Sequence, residues 1–182
     1  MALRAQQAEV QLDVEHEGDM VVTGDREHLA QVFSNLPDNA LKHTPSGGRV
    51  SLAARSLPVK PGKFRAQPGL FAEITVSDTG EGIPAEDLSR IFERFYRGDK
   101  SRTQRGKGAG LGLAIAREII HAHGGQIVAE SIEGLGTRFT ILLPLYVEAK
   151  EPQSAVPPAV PIAPTPRLLT QSPSRVSCSE IS

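Results

Sequence analysis

Asn35 and Asn39 stand four residues apart, followed at once by Lys42 and His43. On a helix, positions i and i+4 project from nearly the same face. Amide oxygens are hard, neutral ligands for a magnesium ion that keeps its waters and phosphate oxygens, and a lysine adds compact positive charge for phosphate. A second cluster, Asp78-Thr79-Gly80-Glu81-Gly82-Ile83, follows an apolar run that ends near Ser77. Its glycines let the backbone approach a flat ligand, and a carboxylate fixed at a strand end can accept a hydrogen bond from an exocyclic amine such as that of adenine. A third, Gly106-Lys107-Gly108-Ala109-Gly110-Leu111-Gly112-Leu113, runs directly into an apolar segment. Free N–H groups and the positive dipole end at such a helix start favour phosphate. No Gly-Lys-Ser/Thr closes this loop and no strand immediately precedes it, so it is neither a Walker loop nor a Rossmann turn. Six Lys/Arg and one Asp lie between Arg94 and Lys107, a locally positive stretch able to fold over a triphosphate. The fourth cluster, Gly134-Leu135-Gly136-Thr137-Arg138-Phe139, turns one strand into the next and brings a hydroxyl within water-mediated reach of a base. Taken singly, each has a plainer reading: a solvated helix face, a strand-to-helix turn, a basic loop, a hairpin.

The elements that must carry these residues are legible from apolar spacing. Between Asp25 and His43, residues Leu29, Val32, Phe33, Leu36, Ala40 and Leu41 recur at three- and four-residue intervals and define one helix face, with Asp25 as its cap. Leu88, Ile91, Phe92 and Phe95 repeat that spacing after Pro84, which suits a first helical turn. Leu111 to His123 forms a third helix, stopped by Gly124-Gly125. Strands are expected at Val10-Leu12-Val14, Val50-Leu52-Ala54, Ala72-Ile74-Val76, Ile127 to Ser131 and Phe139-Ile141-Leu143. The result is an α+β, two-layer sandwich, with a mixed and mostly antiparallel sheet covered on one face by about three helices.

Composition narrows the classes further. The chain has 182 residues, 39% of them hydrophobic, enough for one medium domain with a core. A net charge of −1 offers no broad basic field for nucleic acid. Cys178 is the only cysteine, which excludes an internal disulfide and a multi-cysteine metal site and fits a reducing, cytoplasmic setting. No run approaches a membrane span, and residues 1 to 9 lack a signal-peptide core. Seven of the 14 prolines lie from Pro152 onward. We therefore read 1–9 as the end of a linker or helix, 10–147 as the folded domain, and 148–182 as a Pro-rich disordered tail.

In order and spacing the four clusters resemble the GHKL ATPase superfamily with its Bergerat fold, and within it the sensor histidine kinases. The resemblance runs from about Val10 to Pro144. NLPDNALKHT from Asn35 is similar to the kinase N box, DTGEGI from Asp78 to the first glycine box, FERFYR from Phe92 to the F box, and GAGLGLAI from Gly108 to the second glycine box. His123-Gly124-Gly125 and GLGTRF complete the pattern. The F box separates these kinases from gyrases, heat-shock chaperones and mismatch-repair ATPases, which lack it.

That resemblance implies that ATP and Mg2+ are the cofactors. Asn39, helped by Asn35, would hold the magnesium; Lys42 and His43 would meet phosphates or ribose; Asp78 would recognise the adenine amine, with Gly80, Gly82, Ile83 and Thr137 lining the base. Gly108, Gly110, Leu111 and Gly112 would frame the triphosphate beneath a lid of about Arg97 to Lys107, and those two residues are its candidate catalytic side chains. Hydrolysing relatives place a glutamate at the position of Asn35, and an amide cannot act as that general base. Such a site suits a two-component kinase domain in which ATP gives its γ-phosphoryl group to a histidine on a separate dimerisation domain, with a response regulator downstream. The implied parent is an inner-membrane kinase and the chain itself a cytoplasmic monomer. None of His16, His28, His43, His121 and His123 resembles the acceptor. Two other readings stand beside this one: an anti-sigma-factor-type serine kinase, whose relatives lack a clear F box, and a non-catalytic nucleotide-binding or interaction module. Pro37 departs from the pattern, standing where the family has an aliphatic residue. Inside a helix it costs about 3 kcal/mol and is expected to disturb the register between Asn35 and Asn39.

Overall fold

Alternating apolar residues draw five strands into one sheet, and the two long apolar helix faces close over it. The computed structural model describes residues 1–59, 69–96 and 110–146. The elements are α1 (Ala2–Gln7), β1 (Gln11–His16), α2 (Arg26–His43), β2 (Arg49–Val59), β3 (Gly69–Asp78), α3 (Ala85–Leu88), α4 (Gly112–Ala122), β4 (Gln126–Ile132) and β5 (Gly136–Pro144). Sheet order is β1-β2-β3-β5-β4, with β1 parallel to β2 and the other pairs antiparallel. This is the mixed, mostly antiparallel α+β sandwich expected from the sequence. Among the described residues, no helix is long and apolar enough to cross a membrane.

Leu29, Val32, Leu36, Ala40 and Leu41 of α2 and Ala116, Ile119 and Ile120 of α4 meet Val50, Val76, Ile127, Phe139, Ile141 and Leu143 of the sheet in one core. Phe71 and Leu142 point the other way and form a small second cluster with Leu57. Asp25 caps α2 as expected, its Oδ1 accepting from the N–H groups of Glu27 and His28 at 2.9 and 3.0 Å. Gly124 ends α4 at φ +68°, with Gly124 N–H donating to His121 O and Gly125 N–H to Ile120 O. Those two bonds make a Schellman cap.

The helix α2 runs as expected through Pro37, from Arg26 to His43, with the proline ring wholly buried in it; three other local expectations, at Phe33, at Val14 and after Pro84, are corrected. What the ring removes is the bond that residue 37 would have given to the Phe33 carbonyl, so the cost is one hydrogen bond rather than a break. Phe33 itself lies at the margin of the apolar face, 37% exposed. Val14 is 65% exposed on β1, an edge strand of the sheet, although Leu12 two residues earlier packs against the core. After Pro84 only one regular turn forms, Ala85–Leu88, and single turns follow. Ile91 and Phe92 are buried, whereas Phe95 is turned out, 70% exposed at φ +64°, because its N–H is taken by Gly110 O.

Candidate functional site

The end of the sheet, the end of α2 and the start of α4 carry residues of all four clusters. Asp78 is the last residue of β3 and pairs in register with Thr137 of β5. Its Oδ1 accepts from Gly80 N–H at 2.9 Å and from Thr137 N–H at 3.2 Å. Burial drives the Asp78 carboxyl above its ordinary 3.8, against the two backbone donors and nearby His43, which pull it down, and with nearby Glu81, which pushes it up. One carboxylate oxygen is thus tied to the backbone, and the other is available to an amine donor.

Two residues that sequence reasoning passed over complete this end. Ser131 Oγ accepts from Ile83 N–H at 2.8 Å, donates to Gly136 O at 2.8 Å and lies 3.0 Å from Thr137 Oγ1. With the Ser131 proton given to Gly136, Thr137 must donate to Ser131, which leaves the Thr137 oxygen as an acceptor for a ligand or water. The other is Glu81, whose N–H donates to His43 O at 3.3 Å and whose carbonyl accepts from Gly134 N–H at 2.8 Å. Its Oε1 lies 2.8 Å from His43 Nδ1. A hydrophilic residue between two glycines and a serine inside a strand were the available signals, and neither says which distant element it meets.

The glycines here are required by contact. A Cβ on Gly80 would sit 2.3 Å from His43 O, and one on Gly82, at φ +67°, would sit 2.2 Å from Ile132 O. The turn therefore lies directly against the end of α2 on one side and against β4 on the other.

The opposite end is built from helices. Leu111, the N-cap of α4, supplies no side-chain hydrogen bond, so the first N–H groups of that helix have no side-chain partner there. Asn35 faces this terminus, its Nδ2 3.9 Å from where a Cβ on Gly112 would lie. Asn39 is one turn further along α2, half-buried, with Lys42 exposed beyond it. Among the described residues there is no group of three or more His, Cys, Asp or Glu able to hold a metal. Two neutral amides beside bare helix N–H groups fit a magnesium ion that takes most of its ligands from phosphate and water. Gly110, at φ +69°, accepts from Phe95 N–H at 3.0 Å and so ties the F box to the start of α4. Phe92 packs edge-on to Phe139 at 6.4 Å, with the Arg117 guanidinium 5.5 Å from its ring. Gly108, Arg97 and Lys107, with the rest of the expected lid, lie outside the described residues, as does the tail 148–182.

His123 of the His-Gly-Gly motif is structural. Its Nε2 accepts from Asp25 N–H at 2.9 Å while Nδ1 lies 2.7 Å from Ile119 O, so the neutral ring joins the end of α4 to the cap of α2.

Comparison with known proteins agrees with this geometry. Residues 24–147 match the family described as histidine kinase-, DNA gyrase B-, and HSP90-like ATPase. The sensor histidine kinase WalK of Bacillus subtilis (strain 168) is 45% identical over 133 residues, which is 73% of this chain and 20% of WalK. The chain therefore spans about a fifth of that relative. Among solved structures, the mycobacterial sensor histidine kinase MprB superposes with a TM-score of 0.61 at 30% identity, covering 79% of this chain and 87% of MprB. Full-length ShkA in complex with AMPPNP gives a TM-score of 0.64 at 28% identity, covering 81% of this chain and 28% of ShkA.

Proposed function

The chain belongs to the histidine kinase-, DNA gyrase B-, and HSP90-like ATPase family, and on that premise we propose that residues 10–147 are the ATP-binding catalytic domain of a sensor histidine kinase. Its reaction is transfer of the γ-phosphoryl group of ATP to a histidine on a separate dimerisation domain, in a two-component pathway with a response regulator downstream. The observation that carries this reading is the Asp78 carboxylate at the end of β3, half committed to Gly80 and Thr137 and half open.

In this reading Asp78 accepts a hydrogen bond from the adenine amine, and the Thr137 hydroxyl oxygen accepts one from the ligand or a water beside it. The N-terminus of α4 donates N–H groups to phosphate. Asn35 and Asn39 would hold the magnesium ion together with the triphosphate, where its charge would offset that of the phosphates. Lys42 adds positive charge for phosphate. Asn35 carries no basic group, so it cannot take a proton from water and the bound ATP is kept for the protein acceptor. Catalysis then rests on positioning and charge stabilisation, not on covalent chemistry by this domain. The WalK, MprB and ShkA similarities support the kinase branch of the family.

Titration calorimetry with AMP-PNP, with and without magnesium, tests the binding half. Incubation with radiolabelled ATP and a dimerisation domain from a related kinase tests the transfer half. Acid-labile label on that domain is expected, as phosphohistidine requires; acid-stable label would point to a serine kinase, and no binding of AMP-PNP would end the reading.

A further inference from the structure

We infer that Glu81 is a positioning residue for nucleotide recognition, holding the His43 ring so that Nε2 faces the ribose-phosphate part of the ligand. This rests on the ATP-binding reading above and deepens it. Glu81 touches three elements at once: the carbonyl of His43 through its own N–H, the β4–β5 hairpin through the bond from Gly134, and the imidazole through Oε1 at 2.8 Å. A carboxylate that accepts from Nδ1–H fixes the ring orientation and leaves Nε2 as the ring nitrogen for a ligand, an acceptor for a ribose hydroxyl when it carries no hydrogen and a donor to a phosphate oxygen when it does. The imidazole side chain is 39% exposed, open to a nucleotide, and close enough to Asp78 to act on that carboxylate through space. Glu81 is 52% exposed, and a polar contact so solvated contributes little to folding. Stability therefore gives a weak account of the contact, whereas orientation of a ligand-facing ring gives a strong one.

Glu81→Ala, Glu81→Gln, His43→Ala and the double variant Glu81→Ala/His43→Ala separate the two. Affinities for magnesium AMP-PNP and for adenosine would be measured by calorimetry on the full chain, with thermal midpoints of the unliganded proteins alongside. Each alanine variant is expected to bind AMP-PNP about tenfold more weakly, the usual scale for losing an orienting partner. Glu81→Gln, which keeps an acceptor oxygen, restores most of what Glu81→Ala loses. The double variant binds no worse than His43→Ala, because both changes remove one interaction. Loss confined to AMP-PNP assigns Nε2 to a phosphate oxygen; an equal loss for adenosine assigns it to ribose. Additive losses of about a hundredfold, or Glu81→Ala moving only the thermal midpoint, overturn the positioning role while leaving ATP binding intact. Absence of AMP-PNP binding by the unaltered chain overturns both.

Discussion

The two ends of the nucleotide site are made differently. At the base end, Asp78, Thr137, Ser131 and Ile83 are joined by hydrogen bonds that exist without ligand, three of them from backbone N–H groups, of Thr137 in β5 and of Gly80 and Ile83 in the glycine turn. At the phosphate end, the groups are two amide side chains on α2 and a helix terminus without a side-chain cap. On the proposed reading the base end is held by hydrogen bonds before binding, while at the phosphate end Asn35, Asn39 and the start of α4 would take partners from the nucleotide. A preorganised half fixes which molecule enters, and the unsatisfied half is where charge can be stabilised as it moves.

Substitutions can break this contrast at either end. The largest effect is expected for Asp78→Asn: the amide oxygen still accepts from Gly80 and Thr137, but the amide nitrogen meets the adenine amine donor to donor. Loss of a charge-assisted bond and a new clash weaken AMP-PNP binding by about a hundredfold or more, read by calorimetry. The same change should stabilise the unliganded protein at neutral pH. A carboxyl raised above 3.8 by folding favours the protonated form, so its stabilising contribution is full below 3.8 and is lost as pH rises through the raised value. Chemical denaturation should therefore show the Asn variant ahead at pH 7 and level with the parent below the ordinary carboxylate range.

Gly82→Ala forces a Cβ against Ile132 O in a left-handed conformation, and a loss of about 1–3 kcal/mol in unfolding free energy is expected, with weaker nucleotide binding following from the displaced turn. At the other end, Asn39→Ala should remove the magnesium-dependent part of AMP-PNP affinity, about tenfold, and leave magnesium-free affinity unchanged. If magnesium-free affinity fell as far, Asn39 would be serving the fold and not the ion. The smallest effect is expected for Pro37→Leu. Because α2 is already continuous, magnesium-dependent affinity should change by less than about twofold, and a larger gain would mean that the proline does displace Asn35 and Asn39.

The fold was legible where its signal is local. The spacing of Leu29, Val32, Leu36 and Ala40, the cap at Asp25 and the alternation around Phe139-Ile141-Leu143 need only the period of a helix or strand to be read, and the structure follows them. Phe95 was misplaced because its helical spacing is overruled by a backbone bond from a residue fifteen positions later, Gly110. What Pro37 does to the register of Asn35 and Asn39 was not legible, because helix propensity ignores what a fully buried ring contributes to packing. In the site, Asp78, Asn35 and Gly112 stood out by residue type and motif. Ser131 and Glu81 did not, since their role is to join β4, the glycine turn and α2 across the tertiary structure, and no spacing rule reports that.

The bond from Phe95 N–H to Gly110 O has an evolutionary consequence. It pins the two flanks of residues 97–109 to each other at a point fixed by the fold. Any chain inserted between those flanks starts and finishes in the same place, and doubling its length adds only about 0.6 kcal/mol of closure entropy. Insertions or deletions there can then accumulate without displacing Phe95 or Gly110.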